Sequence, residues 1–110
     1  MELLVIILNK VEFFNDLLSI LVEAGITQAT ILDSEGMGHH LAYEVPIFAG
    51  LRRLVGEEKA HNKTVLALIK DIKIINELQR LLKEIDIDFA KPGTGIMFTL
   101  PVSSIIKHEV

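Results

Sequence analysis

Two unbroken apolar runs constrain this chain more than any other feature in it. Leu3-Leu4-Val5-Ile6-Ile7-Leu8 lies near one end, and Val65-Leu66-Ala67-Leu68-Ile69 lies past the middle. Each is short, rich in branched side chains and apolar at consecutive positions, the pattern of a strand covered on both faces. A helical period follows each run. Beyond Asn9 and Lys10, the residues Phe14, Leu17, Leu18 and Leu21 share one helical face, and Gly25 stands where a left-handed residue would end that helix. Beyond Ile69, Asp71 is a capping residue, and Ile74, Leu78, Leu81, Leu82 and Ile85 repeat the period. Arg80 and Glu84 form an i,i+4 pair on its wet face.

Two more strands complete the pattern. Ile26, Thr30 and Ile31 supply β-branched positions to a strand over 26–33. Another is predicted over 96–100, after the turn Lys91-Pro92-Gly93-Thr94-Gly95, with Pro101 fitting an edge or bulge. Residues 102–108 read as a further short extended piece. The order βαβ, loop, βαβ predicts an α+β, ferredoxin-like βαββαβ fold: a four-stranded antiparallel sheet with both helices on one face. At 110 residues, one domain spans 1–110, with a long insertion at about 36–62. No helix is left to cover the second face of the sheet, and a second copy of the chain is the simplest cover. The mean hydropathy of +0.43 points the same way, since a monomer this small has little interior in which to hide apolar surface.

Several function classes are excluded. The net charge of −4 leaves no basic arm for nucleic acid. The chain has no cysteine, which removes disulfides, thiolate nucleophiles and cysteine metal sites and suits a cytoplasmic protein. The longest apolar run is far below the roughly 20 residues a bilayer requires and too short for an export-signal core. His39 and His40 are adjacent, and neither His61 nor His108 has a histidine at i+2 or i+4, so no metal site is expected. The carboxylate pairs Glu57-Glu58 and Asp86/Asp88 read as solvated charge. With no nucleophile motif and no polar cluster in the strands, the chain is not expected to be an enzyme.

The insertion is the least regular part. It holds four of the seven glycines, and Leu51, Leu54 and Val55 suggest one helical turn flanked by Arg52-Arg53 and Glu57-Glu58. Its run Val45-Pro46-Ile47-Phe48-Ala49-Gly50-Leu51 is apolar where an exposed loop should be polar. Either the run packs on its own domain or a neighbouring subunit, or it is a hydrophobic plug for a partner.

The stretch from Ala24-Gly25-Ile26-Thr27-Gln28-Ala29-Thr30-Ile31 to Glu35-Gly36-Met37-Gly38 resembles the second strand of PII nitrogen-regulatory proteins and the glycines that open their T-loop. Gly93-Thr94-Gly95-Ile96-Met97-Phe98, running to Val102, Ile105-Ile106 and Lys107, resembles the family's Gly-Asp-Gly-Lys-Ile-Phe segment and the strand after it. The resemblance implies a homotrimer whose sheets line a central barrel, with adenine nucleotides in the clefts between subunits. It assigns an anion-binding set of Thr30, Gly36, Gly38, Gly93, Gly95 and Lys107, to which Met37 and Thr94 between the glycines and Lys91, as replacement for a family charge lost after Gly95, are added; glycines admit phosphate to backbone N–H groups and lysines neutralise it. It also implies a partner-binding loop, here Tyr43, Ile47, Phe48, Leu51, Arg52 and Arg53, acting on a regulated protein such as a membrane transporter. There are departures. The family's lysine after Gly-x-Gly is Ile96, its second basic residue in the last strand is Glu109, and its magnesium-binding glutamine is His40. Tyr43 lies too near the loop's start to match the modified tyrosine of some members. The effector expected is AMP, ADP, a cyclic nucleotide or another anion, ahead of ATP with magnesium. A trimeric protein of the divalent-cation-tolerance type and a small α+β barrel enzyme are the alternatives.

Overall fold

The computed structural model of the chain describes residues 1–55 and 61–108. The first apolar run forms β1 (Glu2–Leu8), the inner strand from which the sheet is built. It pairs antiparallel with β4 (Gly95–Pro101) on one side and β3 (His61–Ile69) on the other, and β2 (Thr30–Glu35) joins the outer side of β3, giving the order β2-β3-β1-β4. Two helices, α1 (Phe14–Glu23) and α4 (Ile74–Glu84), lie side by side on one face. This is the βαββαβ arrangement the sequence predicts.

The register explains why both apolar runs lack polar alternation. Leu4, Ile6 and Leu8 of β1 and Val65, Ala67 and Ile69 of β3 are buried beneath the helices, against Leu17 and Leu21 of α1 and Leu78, Leu81 and Leu82 of α4. Each such large side chain contributes about 1.5–3 kcal/mol on leaving water. The alternate positions face the other way. Leu3 lies between Leu68 and Leu100, Val5 between Leu66 and Phe98, and Ile7 between Thr64 and Ile96. On that second face Leu32, Leu68, Ile96, Phe98 and Leu100 stay 38–53% exposed. No element among the described residues covers them.

Both helices end in the same way. At the end of α1 the Ile26 N–H donates to the Leu21 carbonyl (2.8 Å) and the Gly25 N–H to the Val22 carbonyl (2.9 Å). At the end of α4 the Ile87 N–H donates to Leu82 (2.9 Å) and the Asp86 N–H to Lys83 (3.1 Å). These are paired Schellman closures, each with a left-handed residue (Gly25 at φ 90°, Asp86 at φ 64°) and a buried isoleucine next in sequence. Ahead of α4 the Asp71 carboxylate accepts from the Lys73 N–H (2.9 Å) in a turn before the helix, while Lys73 is the N-cap and no side chain caps α4, so the expected Asp71 cap is not formed.

The structure corrects several sequence expectations. β2 begins at Thr30, not Ile26, because Ile26 anchors the α1 closure and residues 27–29 carry the chain from the helix layer to the sheet edge. It then runs on to Glu35, two residues past the predicted end. Asn62 and His61, read as insertion, already belong to β3. Ile85 is not core; the chain reverses at Asp86 and buries Ile87 instead. Residues 102–108 form no strand, and the Val102 N–H bond to the Met1 carbonyl (3.2 Å) is the last tie to β1. The stretch from Gly36, read as irregular apart from one helical turn at Leu51–Val55, is largely helical: α2 (Met37–Glu44), a 3₁₀ stretch Pro46–Leu51 and α3 (Arg52–Val55), the last where that turn was expected. These pieces are too short to show a period in sequence. They form an arm that packs chiefly on itself. Glu57, Glu58 and Glu109 lie outside the described residues.

Candidate functional site

The start of β2, the end of β3 and the C-terminal segment meet at one end of the sheet and leave a groove of about 570 Å³. Thr30, Leu66 and Leu68 line it, with Leu3 below and Lys107 reaching in from residues 102–108. A second groove of about 410 Å³ shares Thr27, Gln28, Leu68 and Lys107 with the first and extends to Lys70, Asp71 and Ile74. Together they offer an apolar wall, hydroxyl and amide side chains, two lysine cations and the Asp71 carboxylate, which accepts from the Lys73 N–H. Such a lining suits a flat apolar ring with an anionic group attached. Thr30 and Lys107 were predicted site residues, and the fold brings them together. Thr27, Gln28 and Lys70 were not predicted. Thr27 and Gln28 fall within the segment between α1 and β2 that was misread as strand.

The other predicted anion-binding residues lie elsewhere. Gly36, Met37 and Gly38 sit past the far end of β2, about 20 Å from Thr30 at 3.3 Å per residue. Gly93, Thr94 and Gly95 lie at that same far end but on the opposite edge of the sheet, three strand spacings or about 14 Å across. Lys91 is exposed in the turn before them, its N–H bonded to the Asp88 carbonyl (3.1 Å). One copy of the chain therefore presents the predicted set as three separate stations.

Two of these stations have structural duties of their own. Gly95 faces Leu8 in the β1–β4 ladder, and a Cβ at Gly95 would come within 2.0 Å of the Ile7 carbonyl oxygen; its φ of 142° adds backbone strain for any other residue. Thr94 is buried, and its carbonyl accepts from the Asn9 N–H (2.8 Å). Gly36 is the extended residue before α2. His40 Nδ1 lies 3.1 Å from Glu35 Oε1, tying the first turn of α2 to the end of β2. Ile96, where the resembling family has lysine, is 53% exposed on the uncovered sheet face. On the helix-covered face, Lys63 is bonded to Asp33 and sits over the Phe14 ring (5.4 Å), and its ammonium holds the Asp33 carboxyl below the usual carboxylate range.

The arm has its own internal order. The His39 ring stacks on Tyr43 (centroids 4.4 Å apart), the Arg52 guanidinium lies 4.7 Å from the Tyr43 centroid, and Arg52 Nε donates to the Ala42 carbonyl (3.0 Å). Tyr43 and Arg52 thus hold the arm together. Leu51 is half-buried, whereas Ile47, Phe48 and Arg53 are exposed. The expectation of no polar cluster in the strands is corrected as well. Ser34 bonds to Asn62 and to Thr64 (2.8 Å), and Asn62 Nδ2 donates to Asn9 (3.3 Å), a chain across three elements at the arm end of the uncovered face. None of its members titrates, so it supplies no acid or base. Among the described residues no three His, Asp or Glu side chains are placed to share a metal ion, and no helix is long and apolar enough to cross a membrane.

No protein-family model matches the sequence, and no curated protein matches it. Among solved structures, the chain is similar to CPII from Thiomonas intermedia K12, determined with ADP, AMP and acetate bound: TM-score 0.56 and 18% identity, covering 89% of this chain and 81% of that one. At that identity the likeness concerns the fold, and the fold is the one the PII resemblance implied.

Proposed function

We propose that this chain, whose fold is PII-like, is a non-catalytic cytoplasmic regulator that assembles as a homotrimer and binds an adenine nucleotide between subunits. The observation that carries the reading is the meeting of Thr30 and Lys107 in one groove. These two positions come from different ends of the sequence, and both match the resembling family's ligand set. Assembly of copies through the uncovered apolar face would bring the stations at Gly36–Gly38 and Gly93–Gly95 of one copy toward the groove of another. The solved neighbour's ADP and AMP make an adenine nucleotide the first ligand class to test. Ile96 brings no charge for a third phosphate, and His40 is engaged with Glu35 rather than set to hold magnesium. AMP, ADP or a cyclic nucleotide therefore ranks ahead of ATP with magnesium. Output runs through the arm to a regulated protein, a membrane transporter being one such class.

A thermal-shift and calorimetric titration tests this. AMP or ADP should raise the melting temperature, by mass action worth about 2.7 kcal/mol at a hundredfold excess over Kd. Lys107→Gln should weaken binding about tenfold, the loss of one charge-assisted contact. Indifference to every adenine nucleotide would sink the reading, and a response to divalent metals alone would favour the cation-tolerance alternative.

A further inference from the structure

An antiparallel sheet with one face in water normally puts its polar and charged residues there. Here the charges are reversed. By register, the charged side chains of the strands, Glu2, Asp33, Glu35 and Lys63, all fall on the helix side. Every position that β1 to β4 turn to the uncovered face is apolar or is Ser, Thr or Asn, although 24% of the chain is charged. At the arm end of that face, the polar side chains are bonded to one another. Ser34 has one hydroxyl hydrogen and gives it to Asn62, so the Thr64 hydroxyl donates to Ser34 (2.8 Å). Asn62 Nδ2 donates in turn to Asn9 Oδ1 (3.3 Å). All four residues are half-buried. The donors run one way and end on Asn9, whose own amide hydrogens have no acceptor among the described residues. In water such a chain gains little, because solvent satisfies the same groups. It matters once water is removed, when an unpaired polar group is costly.

We infer that the uncovered face meets further copies of this chain, and that the hydrogen-bonded chain Thr64–Ser34–Asn62–Asn9 fixes their number and register. The inference rests on the self-assembly in the proposed function and deepens it. Two arguments favour a second copy over a different partner. Near a symmetry axis any charge meets its own copy, so a self-facing surface must do without charges, whereas a surface for another protein gains from opposite ones. An asparagine amide also carries donors and an acceptor together, so it can pair with its own copy as a carboxylate or an ammonium cannot. An apolar face alone can slide or add copies at little cost. A hydrogen-bonding group within it is satisfied at one register and left without a partner at others. A buried asparagine sets register and number in coiled coils by the same means.

The test is native mass spectrometry and size-exclusion chromatography with light scattering on the full chain, across a range of concentrations. The parent should form one stoichiometry. Asn62→Leu, close in volume, should replace that single species with a mixture and lower the half-dissociation concentration about tenfold, because apolar contact replaces a polar one. A merely structural role for Asn62 would weaken assembly instead. Ser34→Ala removes the middle hydroxyl with a smaller change and should also give a mixture, which keeps the test decisive if Asn62→Leu does not fold. Leu32→Glu puts a charge on the face outside both grooves and should raise the half-dissociation concentration about tenfold or more. The inference is overturned, with the trimer left standing, if every folded variant of the hydrogen-bonded chain keeps the parent's single stoichiometry. Unchanged assembly of Leu32→Glu overturns the choice of face. A parent that stays monomeric throughout overturns the inference and the trimer together, while the nucleotide titration is read on its own.

Discussion

Gly95 shows how much one residue can constrain. Its position opposite Leu8 brings the β4 backbone so close to the Ile7 carbonyl that no side chain fits. Gly95→Ala should therefore cost several kcal/mol, since the backbone must move and the φ of 142° must relax. Urea unfolding would measure this, and a change within about 0.5 kcal/mol would show that the strand can shift without loss. The sequence singles out Gly95 for a different reason. Gly-x-Gly reads as a phosphate cradle or a turn because neither alternative requires knowledge of the neighbouring strand. The steric duty appears only once β1 and β4 are in register. Thr30 and Lys107 are the opposite case: local pattern says little about either, and the fold gives both a shared groove.

At the scale of elements, the two helix ends form a natural comparison. Gly25 and Asp86 occupy equivalent left-handed positions, each followed by a buried isoleucine. Aspartate tolerates that conformation better than most residues, but glycine takes it without a Cβ clash. Asp86→Gly should thus stabilise the chain by about 0.5–1 kcal/mol, read as a higher urea midpoint with an unchanged slope. A lower midpoint would mean that the Asp86 side chain contributes something the backbone geometry does not require. The elements themselves were legible wherever a period ran long enough. α1, α4, β1 and β3 follow directly from their apolar spacing. β2 was misplaced because Ile26, a β-branched residue just past a glycine, looks the same whether it opens a strand or anchors a cap. The arm was legible only at the turn that became α3, for a related reason: α2 and the 3₁₀ stretch each supply only one or two turns.

At the scale of the whole molecule, one sheet face is buried under helices and the other carries Leu32, Leu68, Ile96, Phe98 and Leu100 in the open. The need for a cover was legible in the sequence, because Leu3–Leu8 and Val65–Ile69 are apolar at both alternations. Its identity was not, because no residue pattern names the surface it will meet. Proposed self-assembly makes stability depend on how much protein is present. The melting temperature should rise when the concentration is increased over two or three decades, and a value independent of concentration would speak for a stable monomer. If three chains must meet to hide that face, dilution favours separation steeply, because the assembled population follows the third power of the free chain. A cell making little of this protein would then keep it in separate, less stable pieces, open to proteases. One making more would cross a sharp threshold into the durable form. The bare side of the sheet would in that way make the amount synthesised, before any effector is bound, the first condition for the protein to act at all.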